Sequence, residues 1–498
     1  MPDRSALVLL ADGARADIFE RMLAAGELPE IERHVVARGG YRRATSTFTS
    51  TTIPAHLPFL SGRFAGSANV PGYRWFDRSA WRRGAPLGPW CFRSYNGPES
   101  RWVDSDIAAD APTLFELAPG AQNIFGAITR GLAKGNNLAA ARKNRLWLNA
   151  HFREDYVSAD EAAREVLVAA LDTPAPVRFA VLPGIDWNSH YDDPFGEGAH
   201  EAYRRVDRTV GAVARKLQRR GEYEETLIAV VSDHGHAPVR EHFDLAVRLE
   251  EDHGLKTAYH SMRAWRRGAQ AICAVSGNAM AHVYLRGPRH GWRDRVARGG
   301  VDVAAPGLIE RLLGEPAVDL VITRYGSGDL LIESERGQAR LREDGGELVY
   351  NTLASDPFGY GPLPERMTHE QALQLTADSE HPDGLLQTAQ IFRSPRTGDV
   401  VVSAAPDYDL RERYERPEHR SSHGALHAQH MYVPLAISAP VEHGPLRTAD
   451  VFSMVLAWLG LPEPSGVDGR SRLVGDPAHV DSLVAARLSA AELSSARA

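Results

Sequence analysis

The sequence predicts an α/β fold: a mostly parallel central sheet flanked by helices on both faces, with insertions at the active edge, one of them a cap. Three observations predict it. Apolar runs of strand length recur along the chain and are continuous rather than alternating, the pattern of strands covered on both faces. Helical patterning alternates with these runs, the order that builds a parallel sheet. Acidic and imidazole side chains follow directly after several runs, at the strand ends where open α/β sheets bind ligands.

Taken in order, residues 6–11 are the first buried strand, ended by Asp12-Gly13. Further strands are expected at 124–128, 179–182, 227–231, 400–402 and 433–437. The clearest helix is expected at 199–219. There Tyr203, Val206, Val210, Val213 and Leu217 form one apolar stripe, and Gly221 supplies a C-terminal stop. Residues 74–120 are rich in Trp, Arg, Gly and Pro, and residues 239–398 mix helix-like and strand-like pieces. Both read as insertions, the second as a cap. The organisation expected is a discontinuous core, 1–238 and 399–475, a cap at 239–398, and a helical tail at 476–498.

Bulk properties narrow the function classes. Hydrophobic residues at 43% and charged residues at 24% of a 498-residue chain allow a sizeable core. The net charge of −7 carries no like-charged block, which argues against binding a nucleic-acid polymer. Cys91 and Cys273 stand far apart and outside any metal-ligand spacing, so they read as buried apolar residues. No stretch reaches the roughly 20 apolar residues of a membrane span. The first residues lack the apolar core of a signal peptide, so a cytoplasmic location is expected.

Four separated segments place metal-type ligands just after apolar runs. They hold Asp12-Gly13, then Asp186 with His190, then Asp233-His234-Gly235-His236, and finally His423-Gly424. Carboxylate oxygen with imidazole nitrogen suits zinc and its neighbours. One such Asp alone ordinarily caps a helix, and one such His is ordinarily surface or core. The weight lies in the combination. A fifth segment, Thr49-Ser50-Thr51-Thr52-Ile53-Pro54-Ala55-His56, predicts a short helix starting near Ile53, with Pro in its first turn. A hydroxyl there faces orphan N–H groups and the positive end of the dipole, a natural phosphate site. Taken alone, the Ser/Thr cluster is an ordinary N-cap.

In this order the five segments resemble the alkaline phosphatase superfamily, specifically its nucleotide pyrophosphatase/phosphodiesterase branch. That branch shows Asp-Gly, Thr-Phe-Pro-Asn-His, Asp-x-x-x-His, Asp-His-Gly and a late His-Gly; here the second reads Thr52-Ile53-Pro54-Ala55-His56. The likeness spans residues 6–440. It implies a phosphoester hydrolase with Thr52 as nucleophile and a phosphothreonine intermediate. It implies two divalent metal ions, zinc being favoured: one held by Asp12, Asp233, His234 and the Thr52 oxygen, the other by Asp186, His190 and His423. The substrate implied is a small-molecule phosphate ester.

Two departures bear on the substrate. Where relatives carry a phosphate-contacting Asn, the register falls on Tyr73, and where phosphomonoesterases carry Lys-x-Arg the chain reads Thr129-Arg130. Tyr73 and Arg130 are therefore expected to contact substrate, and the missing Lys favours diesters over dianionic monoesters. His236, His242, His427 and His430 are expected to lie beside the ligands or on the surface, not to be ligands. Phosphomonoester or phosphonate hydrolysis is the alternative within the superfamily. A phosphate-transferring mutase is disfavoured by the scarcity of Lys. A non-catalytic binding protein is disfavoured by the intact nucleophile and ligand positions.

Overall fold

A computed structural model of the chain describes residues 4–140, 142, 146, 157–326, 328–411 and 418–475. The first apolar run forms the strand Ser5–Ala11, buried at every residue from Ala6 onward. Successive strand side chains point to opposite faces, so a strand buried throughout is covered on both. It lies inside an eight-stranded sheet of order Leu446–Arg447, Gly40–Thr45, Tyr432–Ile437, Thr226–Val231, Ser5–Ala11, Val177–Leu182, Gln122–Ile124 and Asn137–Leu138. Leu9 sits opposite Ala180 on one side and Val230 on the other, both in parallel register. Only Tyr432–Ile437 runs against its neighbours. The sequence expectation of a mostly parallel sheet holds.

The stripe helix spans Glu197–Arg220, and all five stripe residues are buried. Gly221 ends it in the left-handed conformation, where its N–H reaches the Leu217 and Gln218 carbonyls. The helix lies beside Val157–Ala170 and Gly184–Tyr191. The helix Asp450–Leu459 covers Thr52–Ser61 and the first strand.

A second, nine-stranded sheet is built from residues 257–404. Its neighbours are antiparallel apart from the short pair Thr257–Ala258 and Ala271–Ser276. The run expected at 400–402 as part of the first sheet is the strand Val400–Ala404, in the interior of this second one, between Met280–Leu285 and Val318–Tyr325. The reason is physical. Val400, Val402 and Ala404 enter one apolar core and Val401 enters another, so the strand is covered on both faces and shows no alternation. The strand expected at 124–128 is shorter, Gln122–Ile124, because Phe125 leaves it with a φ of 64°.

Residues Arg74–Phe76 and Phe92–Ser94 pair as an antiparallel ribbon laid against the second sheet. Phe76, Trp81, Cys91 and Phe92 pack on Ile272, Ala274, Tyr284 and Trp292. Buried Arg78 bonds Asp399 Oδ2 at 2.6 Å and fixes the ribbon in place. Both cysteines are buried. The expected tail at 476–498 lies outside the described residues. Among those described, no helix is long and apolar enough to cross a membrane.

Candidate active site

Three neighbouring parallel strands, Ser5–Ala11, Val177–Leu182 and Thr226–Val231, deliver their following residues to one edge. Asp12 comes directly after the first. Asp186 and His190 lie one turn apart on the helix Gly184–Tyr191, a spacing that puts both on one face. Asp233 and His234 follow the third. Thr52 opens the helix Thr52–Ser61 after an extended Thr51, with Pro54 in its first turn and Gly62 closing it at φ 66°. His423 follows the short strand Ser421–Ser422, which pairs with Ala237–His242.

The expected ligands and nucleophile meet. Thr52 Oγ1 lies 3.3 Å from His234 Nε2. His234 Nε2 is 3.6 Å from Asp12 Oδ1 and 3.5 Å from Asp233 Oδ2. Asp186 Oδ1 is 3.5 Å from His190 Nε2 and 3.8 Å from His423 Nε2. Four donors held about 2.1 Å from one centre stand about 3.4 Å apart in a tetrahedron. Most of these gaps are wider than a good hydrogen bond and match that edge. Asp233 Oδ2 is fully buried and, among the described residues, accepts no well-aligned hydrogen bond. A buried carboxylate oxygen left so is costly unless a cation lies beside it.

The imidazoles are held from behind. Nδ1 of His190 faces the Ser421 carbonyl at 2.9 Å, that of His234 the Gly235 carbonyl at 3.1 Å, and that of His423 the Ser50 carbonyl at 3.1 Å. A carbonyl can only accept, so each Nδ1 carries a proton and each Nε2 faces the cluster. This is the arrangement of imidazoles that bind metal.

Burial raises the pKa of the Asp186 carboxyl, but His190, His423, His234 and His419 together outweigh it and hold it below the usual carboxylate value. Burial likewise opposes ionisation of Asp233, and His234 and His56 reverse that effect. Burial first, then neighbouring imidazoles, press His423 well below the ordinary histidine value. The cluster thus favours anionic carboxylates and a neutral His423, the protonation states in which such residues bind metal.

Backbone geometry makes the convergence feasible. Gly13 has φ 75°, and a Cβ there would stand 2.8 Å from Asp186 Cα and 2.9 Å from His236 Cδ2. The nucleophile segment is tied on three sides. Thr49 Oγ1 donates to the Pro71 carbonyl and Ser50 Oγ to the Ala425 carbonyl, both at 2.8 Å, while Phe48 N–H reaches Gln387 Oε1 at 3.0 Å.

Three histidines beyond the expected set join the site. His236 Nε2 stands 2.8 Å from Asp186 Oδ1. His56 Nε2 stands 3.3 Å from Asp233 Oδ2. The His419 ring lies 4.2 Å from that of His190. His56 was legible in principle, being one turn from Thr52 on the same helix.

Two expected substrate contacts are not brought to the cluster. Arg130 bonds the Ile107, Ala108 and Ala111 carbonyls and Glu116 Oε2 with its three guanidinium nitrogens. It is a tie for the loop around the helix Leu114–Leu117, not a phosphate contact. The Tyr73 hydroxyl donates to the Tyr95 carbonyl at 3.1 Å.

Residues 6–426 match the model of the type I phosphodiesterase / nucleotide pyrophosphatase family. The chain belongs to this family. Comparison with curated protein sequences gives no match. Among solved structures, the chain resembles phosphonoacetate hydrolase from Sinorhizobium meliloti 1021, solved with phosphonoformate, at 17% identity and a TM-score of 0.53. That match covers 91% of this chain and 94% of the other. Human ectonucleotide pyrophosphatase / phosphodiesterase 5 matches at 11% identity and a TM-score of 0.56, over 94% and 97% of the two chains. The murine protein matches at 13% and 0.55, over 92% and 96%. Likeness at such identity establishes the alkaline-phosphatase-like fold. Family membership supports phosphoester hydrolysis.

Proposed function

We propose that the chain is a two-metal phosphodiesterase or nucleotide pyrophosphatase acting on small-molecule phosphate esters through a phosphothreonine on Thr52. One observation carries the reading. A half-buried threonine hydroxyl at a helix N-terminus stands 3.3 Å from His234 Nε2, beside three buried carboxylates and further inward-facing imidazoles. In this reading Asp12, Asp233, His234 and Thr52 hold one divalent cation, and Asp186, His190 and His423 hold the other. Mixed oxygen and imidazole donors favour zinc. Bound there, the cations would supply charge neutralisation of the attacking and leaving oxygens and a lowered hydroxyl pKa at Thr52.

The chain's own residues do the rest. Thr52 Oγ1 loses its proton and attacks phosphorus, and the ester oxygen departs with its electron pair. Water then attacks the phosphothreonine, returning Thr52 and releasing phosphate or a phosphomonoester. The N-terminal amides of Thr52–Ser61 are placed to receive the anionic oxygens. The expected core of 1–238 and 399–475, less the strand Val400–Ala404 that joins the second sheet, carries this chemistry, and the 74–120 and 239–398 insertions select the leaving group.

Phosphonate hydrolysis by the same residues is a second reading, favoured by the neighbours solved with phosphonoformate and phosphonoacetate. The test is hydrolysis of bis(p-nitrophenyl) phosphate, p-nitrophenyl phosphate and phosphonoacetate by metal-quantified wild type and Thr52→Ala. The expected result is diester preference, with a loss of roughly 10³-fold or more in the variant. An active Thr52→Ala protein would overturn the nucleophile, and phosphonoacetate preference would establish the second reading.

A further inference from the structure

His236 is fully buried and its side chain is used by neither the nucleophile nor the six expected protein ligands. Its hydrogen bonds fix where its proton sits. Ser421 Oγ has one hydrogen, given to the Ser189 carbonyl at 2.6 Å. The same Oγ lies 3.0 Å from His236 Nδ1 and can therefore only accept from it. Nδ1 therefore carries a proton, which leaves Nε2, 2.8 Å from Asp186 Oδ1, as the nitrogen that can offer a lone pair to a cation. A cation there would be held by the imidazole and the carboxylate together, in the place a second proton would otherwise take.

The surroundings agree. Nε2 of His236 groups with donor atoms of Asp186, His190 and His423, all within 4.8 Å of one another. Like His190 and His423, His236 is held through Nδ1 and presents Nε2. Two donors about 2.1 Å from a common ion and 2.8 Å from each other meet it near a right angle. Asp186 with His190 and His423, at 3.5 and 3.8 Å, open wider angles. Catalytic zinc can pass from four to five donors, so it tolerates one narrow angle beside wider ones. Gly13 keeps the approach clear, since a Cβ there would strike both Asp186 and His236.

We propose that His236 is a further protein ligand of the Asp186–His190–His423 metal site, making it a three-imidazole, one-carboxylate set. The inference rests on the two-metal reading and sharpens it. Three nitrogens bias this site toward zinc and against magnesium or manganese, which prefer oxygen. The ion here is bound more tightly than at the carboxylate-richer site around Thr52.

The experiment is metal titration of full-length wild type, His236→Ala and His236→Cys, with cobalt(II) as the spectroscopic probe. His236→Ala should lose about one ion per chain at limiting zinc, beyond the roughly 10–100-fold weakening that loss of an outer hydrogen-bond partner causes. His236→Cys loaded with cobalt should show a thiolate-to-metal charge-transfer band in the near ultraviolet, absent from wild type. A folded His236→Cys protein that binds cobalt without that band, with His236→Ala retaining both ions, overturns the proposal and leaves His236 orienting Asp186. Wild type that binds no metal would fail the two-metal reading itself, a distinct outcome.

Discussion

The two sheets bury polar groups in opposite ways. In the second sheet the buried ionisable groups Asp399 and His282 are saturated by the protein. Asp399 accepts from Arg78 and from the Leu285 and Val296 amides. His282 faces the Pro71 carbonyl with Nε2 and receives the Gly398 amide at Nδ1. At the edge of the first sheet the groups are held on one side and left open on the other. His190, His234 and His423 are fixed through Nδ1 while Nε2 faces inward, and Asp233 Oδ2 lacks an aligned donor. Burial without full pairing costs stability, so its concentration at one edge marks where ligand energy enters.

The strongest way to break this comparison is to remove an open group. His423→Ala should release about one metal ion per chain and lower kcat by more than the roughly 10–100-fold that loss of an outer partner costs. Its thermal stability in chelator should fall by about 1–3 kcal/mol, the cost of leaving the buried Ser50 carbonyl without its Nδ1–H donor. Metal analysis beside melting curves in chelator checks both. Unchanged metal content would show that His423 is not a ligand.

A saturated group should behave in reverse. Burial presses the His282 pKa down to about 4 from the ordinary 6.5; the Pro71 carbonyl opposes the shift and the Arg324 charge adds to it. The sign follows. A folded-state value below the unfolded one gives stability that is complete above pH 6.5 and is lost as pH falls toward 4. The amount is on the order of 3 kcal/mol at about 1.4 kcal/mol per pH unit. His282→Gln keeps a donor and an acceptor but cannot ionise. Its urea midpoint should fall less than that of wild type between pH 7 and pH 4.5. Equal falls would refute the assignment.

What the sequence disclosed follows the same division. Candidate ligands that sit directly after an apolar run, such as Asp12 and Asp233, were legible because strand ends fix their place. Asp186 and His190 were legible because helix periodicity fixes theirs. His236 was visible as a letter in Asp233-His234-Gly235-His236, but its orientation depends on Ser421, 185 residues away. The strand Val400–Ala404 was legible as a buried strand and not as a member of a particular sheet. A run covered on both faces carries no sign of which neighbours cover it. The ties of Arg130 to backbone carbonyls were not legible, because the positions of those carbonyls depend on loop geometry and leave no trace in residue type.

Arg130 and Tyr73 therefore supply the smallest and most discriminating effects. Both were expected to touch substrate, and both prove to be tied to carbonyls of the 95–111 region. Arg130→Ala leaves three carbonyls and Glu116 without their guanidinium and should cost about 1–3 kcal/mol of stability. Tyr73→Phe removes one hydroxyl bond and should cost about 0.5–1.5 kcal/mol. In neither variant should kcat/KM for a diester change by more than about threefold, some 0.6 kcal/mol in the barrier. Steady-state kinetics alongside denaturant midpoints separate the two roles. A hundredfold loss in kcat/KM with unchanged stability would return Arg130 to the phosphate, since a guanidinium that only ties a loop cannot weaken the transition state without first weakening the loop.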